Sequence, residues 1–374
     1  MQYTEYELGE LLPFEQPTAY IVKSTDYCDA YATPVLTAGK SFILGKTNET
    51  DGIFDQLPVI IFDDFTTATQ FVNFRFKVKS SAMKILHINT DLVIPKYIFY
   101  RLQIIQFDHS THKRYWIQSY SKIKVLIPPL DEQSRIVARI EELFSELDKA
   151  VDTLKTTKEQ LEVYRQAVLK DAFSDFEKKD SIRNLTMVVT SGSRGWAKYY
   201  SNSGALFVRI GNLTHSGIDI DFRDIQHITP PDNAEGVRTR LQPNDVLVSI
   251  TADLGSIGFV SEKVEEAYIN QHIALVRFQN PVQGRFMAWY LRSEYGQKDL
   301  LKNKRGGGKL GLGLDDIRDT PVPIVSDLVA QKTVDEIEER LSVCDSIEKT
   351  VDATLAQADA MRQSILKQSF EEKI

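Results

Sequence analysis

"RQAVLKDAF", residues 165–173, returns 197 positions later as "RQSILKQSF", residues 362–370, with Arg, Gln, Leu, Lys and Phe unchanged. At the same offset Ile140-Glu141-Glu142 falls on Ile337-Glu338-Glu339, Ser145 on Ser342 and Asp148 on Asp345, and no gap is needed between them. Self-similarity at a long fixed period sets an architecture before any local motif does. Both copies also space their apolar residues by three and four, the period of a helix seam. The first runs Ile136, Ile140, Leu143, Leu147, Val151, Leu154, Leu161, Tyr164, Val168; the second runs Val334, Ile337, Leu341, Cys344, Ile347, Val351, Leu355, Ala358, Met361, Ile365.

Neither copy contains Gly or Pro, and prolines precede each: Pro128 and Pro129, then Pro321 and Pro323. The spacing predicts one helix of about 35 to 40 residues per copy, roughly 50 to 60 Å long, where about 10 to 14 residues is usual. An apolar stripe of that length needs cover, and the other copy is the economical cover. The expected interface sets Ile140, Leu143, Leu147, Val151, Leu154 and Leu161 against Ile337, Leu341, Cys344, Val351, Leu355 and Met361.

The intervening segments are β-branched and aromatic in short runs, such as "PVIIFDDF" and "QFVNFRFKV" in one and "ALFVRIGNL" and "QHIALVRF" in the other, as strands are. Each ends with a helix-like stretch, "PKYIFYRLQIIQF" from Pro95 and "GRFMAWYLRSEYGQKDLLKN" from Gly284. The expected class is α+β: a β-rich domain over 1–130, a long helix over 131–175, a second β-rich domain over 181–325 and a second long helix over 328–374. A polar linker, "SDFEKKDS", joins the halves at 174–181.

The 374 residues suit two or three domains, and 42% hydrophobic with 26% charged residues is a soluble globular composition. No signal-peptide pattern and no apolar run of about 18 residues occurs, so a cytoplasmic location is expected. Cys28 and Cys344 lack metal or redox spacing and read as free thiols. The net charge of −7 argues at first sight against nucleic acid, since phosphates are met by Lys and Arg. Its position matters more: 131–173 and 328–374 hold all of it, leaving both β-rich domains neutral. A neutral domain can still carry a basic face, and "KDLLKNKRGGGK", residues 298–309, has five cations against one acid.

"IPPLDEQSRIVARIEELFSELDKA", residues 127–150, resembles the central conserved region of the specificity subunit of type I restriction-modification enzymes. "GSRGW", "FVRIGNL", "DVLVSITADLGSIGFV", "INQHIALVRF" and "GLGLDDIRDTPVPI" look like a target recognition domain of that family. The second helix departs by opening "VSDLVAQK" where the first has "PPLDEQS", and the first domain hardly resembles the second in sequence. The resemblance implies that each domain reads half of a split DNA target and that the long helices form an antiparallel coiled coil spacing the domains. It also implies two docked modification (methyltransferase) subunits, which bind S-adenosylmethionine and methylate adenine N6, and restriction subunits that use ATP and Mg. The chain itself would be non-catalytic and bind no cofactor. Helices of that length, with B-DNA at about 34 Å per turn, would fit half-sites roughly one to one and a half turns apart. Outer apolar positions such as Phe144 and Phe173 would receive the partners.

No motif for chemistry contradicts that. The double prolines, Pro128-Pro129-Leu130 and Pro230-Pro231-Asp232, lack the Asp or Asn and aromatic of an adenine methyltransferase site. Gly39-Lys40-Ser41 imitates the end of a phosphate loop, but Pro34 stands where its first glycine belongs. The six histidines and the paired carboxylates show no metal-ligand spacing. "KRGGGK", residues 304–309, reads as a loop against a DNA backbone: Arg305 and Lys309 carry charge, while Gly306 and Gly307 allow close approach. Further DNA candidates are Arg194, Trp196, Tyr199, Tyr200, Arg209, Asn212, Ser249 and Thr251 in the second domain, and Lys40, Thr66, Thr67, Thr69, Gln70 and Lys77 in the first. Arg and Asn match guanine and adenine edges and hydroxyls reach phosphates. The rival reading is a structural adaptor, two protein-binding modules on a coiled-coil spine.

Overall fold

The computed structural model describes residues 3–37, 41–107, 114–304 and 310–371. Two compact units are formed, one by Met1–Leu154 with Asp352–Ile374 and one by Lys155–Val351. The repeat accounts for this division, because each unit takes half of each long helix. The helices span Leu130–Phe173 and Asp327–Glu371, 44 and 45 residues, or roughly 66 to 68 Å. They exceed the expected length because nothing in either stretch breaks a helix.

Within the second unit Arg165 lies 2.7 Å from Asp345 and 3.0 Å from Glu348, while Asp171 lies 3.2 Å from Arg340. One number rises as the other falls, so the helices run antiparallel there. In the first unit Arg362 is ion-paired with Asp148 and lies over the ring of Phe144, 4.9 Å from its centroid. The offset of 197 carries Arg165 to Arg362 and Asp148 to Asp345, so these ion pairs are one interaction written twice.

Ile140, Leu161, Ile337, Leu341, Cys344 and Val351 are buried and Leu143, Leu147, Val151, Leu154 and Leu355 half-buried. Met361 differs from expectation at 52% exposed, and Leu366 is buried instead. The seam steps from Ala358 to Arg362, whose guanidinium covers Phe144, and this turns Met361 outward. The outer positions also differ. Phe173 is buried against Phe286 and Tyr290, with ring centroids 5.4 Å apart in both cases, and Phe144 packs on Tyr100 at 5.7 Å. The Phe173 ring is thus not free to receive a partner, and Phe144 is left half-buried.

The β-rich parts share one topology. In the first unit the strands are β1 (Thr4–Glu7), β2 (Phe14–Glu15), β3 (Thr33–Leu36), β4 (Ile43–Thr47), β5 (Val59–Asp63), β6 (Thr69–Val72), β7 (Lys77–Val78), β8 (Met83–His87) and β9 (Lys124–Ile127). The second unit has β10 (Lys179–Ser181), β11 (Thr186–Ser191), β12 (Tyr200–Ser201), β13 (Ala205–Val208), β14 (Gln226–Ile228), β15 (Val246–Ser249), β16 (Ile257–Phe259), β17 (Ala267–Ile269), β18 (Ile273–Phe278) and β19 (Pro321–Pro323).

An antiparallel sheet ordered β2-β8-β5-β6 answers one ordered β11-β18-β15-β16. A smaller sheet ordered β4-β3-β7 answers β12-β14-β13-β17, and in both the last pair is parallel. The ribbon β1-β9 answers β10-β19. Single hydrogen bonds repeat as well: Lys79 N to Leu36 O at 2.9 Å matches Asn270 N to Val208 O at 3.2 Å. Dissimilar sequences reach one topology because ladder bonds use backbone groups, and the side chains need only keep the buried face apolar.

Each long helix starts where a glutamine amide, buried at Gln133 and half-buried at Gln283, ties it to its unit. Gln133 donates from Nε2 to Pro128 O (2.9 Å) and Leu92 O (3.0 Å) and accepts from Ile94 N (2.8 Å). The offset puts Ala330 opposite Gln133. There Gln283 serves instead, donating to Val325 O at 3.0 Å and to Asp327 Oδ1 at 2.9 Å, which explains how the second helix dispenses with the "PPLDEQS" opening. Among the described residues no helix is long and apolar enough to cross a membrane.

Candidate nucleic-acid interface

Four of the candidates chosen from sequence lie in or beside one hairpin of the first unit, and two lie in its counterpart in the second. Between β5 and β6, Asp63 Oδ1 accepts from Phe65 N (2.8 Å) and Thr66 N (3.0 Å), folding the chain back over its own strand end. Thr67 adopts φ 58°, a left-handed conformation that costs a side chain about 1 to 2 kcal/mol. The fold-back leaves Phe65 48% exposed and Thr66 exposed at the tip. Thr69 accepts from the Gln103 amide, and Gln70 is half-buried opposite Ile61.

The hairpin between β15 and β16 is built differently on the same frame. Ser249 Oγ accepts from Ser256 N (2.8 Å) and donates to Asp253 O, and Ala252 and Gly255 take φ 61° and 85°. Asp253 accepts from His215 Nε2 (2.8 Å) and Ser256 Oγ (3.1 Å), and the His215 bond holds its carboxyl below the usual carboxylate range. Thr251 Oγ1 is bonded to His272 Nδ1, and Gln271 donates to Nε2 of the same ring at 2.9 Å.

One strut fixes both hairpins. Tyr115 N donates to Asp64 O at 2.9 Å, and Leu312 N donates to Ile250 O at 2.9 Å; the offset of 197 carries Tyr115 to Leu312. Asp64 also accepts from Trp116 N at 2.9 Å and sits 3.2 Å from the buried Lys84 ammonium. The segment that follows "KRGGGK" is therefore tied to the hairpin holding Thr251, which forms a bridge with Gly311. Lys40, Arg305, Gly306, Gly307 and Lys309 themselves lie outside the described residues.

Several candidates serve the fold instead. Lys77 is buried, its Nζ 2.5 Å from Asp51 O and 3.1 Å from Glu49, so it has no charge to offer outside. Asn212 is buried and committed: Oδ1 accepts from Arg209 N (2.8 Å) and Nδ2 donates to Asp221 O (2.8 Å) and Asp224 O (3.2 Å). Ser249 is fully buried. Trp196 stacks on Phe207 at 5.3 Å, with Tyr199 edge-on at 5.8 Å, and donates to Glu235. Arg209 donates to Asp224 O at 3.1 Å, while Arg194 is exposed without an ion pair among the described residues and Tyr200 is 45% exposed.

Phe65, His215, Gln271 and His272 escaped sequence reasoning. The available signal was an apolar run of three or four residues followed by hydroxyls and acids, present in both "VIIFDDFTT" and "VLVSITAD". Among the described residues no cluster of His, Cys, Asp or Glu could hold a metal ion. The hairpins offer a ring, hydroxyls, an amide and imidazoles on fixed turns, groups that can read base edges or meet phosphates.

The family profile of the type I restriction modification DNA specificity domain matches residues 2–163. The EcoR124I/EcoR124II specificity subunit of Escherichia coli is 45% identical over 174 residues, 43% of this chain and 43% of that protein. Over its first 163 residues the chain is thus similar to the DNA specificity domain of type I restriction-modification enzymes. The EcoBI specificity subunit of Escherichia coli is 24% identical over 277 residues, 65% of this chain and 57% of that protein. The matches thus span less than two thirds of these specificity subunits. The fold agrees over the whole chain with a subunit in a solved type I R-M system assembly (TM-score 0.72, 16% identity, covering 98% of it) and with the HsdS subunit of Thermoanaerobacter tengcongensis (TM-score 0.55, 16% identity, covering 97%).

Proposed function

We propose that this chain is the DNA-reading subunit of a type I restriction-modification complex, one β-rich unit to each half of a split target. The observation that carries this is the duplication: two units of one topology present the same hairpin, on the same strut, with different side chains. Such a pair suits two different half-sites read by one scaffold. On this reading the recognition domains are 1–130 and 181–325, and the long helices 131–175 and 328–374 pair as an antiparallel coiled coil.

The chain contributes recognition and no catalytic group. Two methyltransferase subunits carrying S-adenosylmethionine methylate adenine N6 at the chosen site, and restriction subunits use ATP and Mg to cleave, all in the cytoplasm. At the first hairpin the exposed Phe65 ring and Thr66 face base edges, at the second Thr251 with the His272 imidazole does so, and Arg194, Tyr200, Arg305, Lys309 and Lys40 hold the backbone. The test is coexpression with a type I methyltransferase subunit, followed by methylation-sensitive sequencing of host DNA. Adenine methylation at one split motif is expected, and a soluble, active complex that methylates no split motif would overturn the reading.

A further inference from the structure

The two hairpins share a backbone frame and differ in the side chains set upon it. Ile250 N donates to His272 O at 2.9 Å, and in the first unit Asp64 N donates to Ala82 O at 3.3 Å. The strand ladders agree with that match, because Ser249 pairs with Ile273 and Asp63 with Met83. Thr251 therefore corresponds to Phe65, and His272 to Ala82. A phenyl ring and a methyl group in the first unit are replaced by a hydroxyl and an imidazole in the second.

The imidazole sits on a fixed base, since His272 N donates to Asn270 Oδ1 at 3.0 Å and Asn270 N donates in turn to Val208 O at 3.2 Å. Its two ring nitrogens meet different partners. Gln271 Nε2 lies 2.9 Å from His272 Nε2, and Thr251 Oγ1 is bonded to His272 Nδ1. An amide nitrogen only donates, so ring Nε2 offers its lone pair and carries no proton. A neutral imidazole has one N–H, which then stands on Nδ1 and donates to Thr251 Oγ1. The Thr251 oxygen accepts on that side, and its own proton is left for a further acceptor. Thr251, Gln271 and His272 are all half-buried, where a hydrogen bond is stronger than in open water.

Phe65 can offer a base only apolar contact. A hydroxyl obliged to donate is more selective, because major-groove edges differ in sign: guanine O6 and thymine O4 accept, whereas adenine N6 and cytosine N4 donate. We propose that Gln271 and His272 are positioning residues that make Thr251 a hydrogen-bond donor to DNA, so that the second unit selects guanine or thymine at the base Thr251 meets, a claim that rests on the DNA-reading role and narrows it.

The test uses the full-length chain copurified with a type I methyltransferase subunit. Methylation-sensitive sequencing first gives the split motif, and fluorescence anisotropy then measures binding of the complex to duplexes in which each base pair of the two half-sites is exchanged in turn. At one position held by guanine or thymine, exchange for adenine or cytosine should weaken wild-type binding about five- to tenfold. Thr251→Val should reduce that preference to within about twofold. His272→Asp, whose carboxylate accepts the Thr251 proton, should abolish or reverse it, while His272→Asn, whose amide donates as Nδ1 does, should retain it. A merely structural loss would weaken all duplexes alike and leave the ratios unchanged. Thr251→Val keeps the shape of the side chain, so it decides the matter even where a His272 variant folds poorly. Unchanged ratios in Thr251→Val, or the same ratios in His272→Asp and His272→Asn, would overturn the proposal and leave the DNA-reading role standing. A wild-type complex that methylates no split motif would overturn both.

Discussion

Gln133 shows what one residue does for this fold. Its amide satisfies three backbone groups where the first long helix meets its unit. Gln133→Ala leaves them buried and unpaired, at about 1 to 3 kcal/mol, and chemical denaturation should show a lowered midpoint with an unchanged slope. Thr67 holds a left-handed conformation that glycine adopts without strain. Thr67→Gly should leave stability unchanged or raise it by up to about 1 kcal/mol, whereas Phe65→Ala at the exposed tip should weaken DNA binding with no change in thermal midpoint. Burial pushes the Tyr120 phenol up to about 12 from an ordinary value of 10. For a group whose folded value is raised, stability is fully present below the unfolded value and is lost as pH climbs between the two. Alkaline titration at 295 nm should therefore find Tyr120 protonated at pH 10 to 11, with unfolding stability falling across pH 10 to 12.

At the scale of elements, the sequence shows the helices and hides the hairpins for a physical reason. An apolar period of 3.5 survives along forty residues, so Ile140, Leu341 and Val351 are legible as seam positions without coordinates. Met361 is misread because a local four-residue step at Arg362 shifts the stripe. Strands of two to six residues carry too few side chains to fix pairing, so the match between β5-β6 and β15-β16 becomes visible only in hydrogen bonds. The burial of Lys77, Asn212 and Ser249 is invisible in sequence for the same reason: a polar residue that closes a turn and one that meets a ligand are spelled alike. The duplicated ion pair permits a comparison inside one molecule. Arg165 is nearly buried, its side chain 9% exposed, while Arg362 is 35% exposed. Double-mutant cycles should give a larger coupling for Arg165 with Asp345 than for Arg362 with Asp148, the latter at most about 1 kcal/mol.

For the whole molecule, the proposed DNA-reading role makes the halves of a target separable, because one scaffold bears two unlike sets of side chains. Replacing residues 1–130 by the corresponding domain of a related specificity subunit should change one half of the methylated motif and leave the other, as methylation-sensitive sequencing would read. Removing seven residues from each long helix should change the spacer and neither half-site; an unchanged spacer would refute the ruler role of the helices.

The first unit is also discontinuous: Leu366 and Phe370 complete a core with Val137, Ile140 and Tyr97, while the second unit is one unbroken stretch. During vectorial synthesis the second unit can close before the first, although the first is made earlier. The nascent first unit must wait on the ribosome with an open seam, a window in which a holdase chaperone or a protease has access to it.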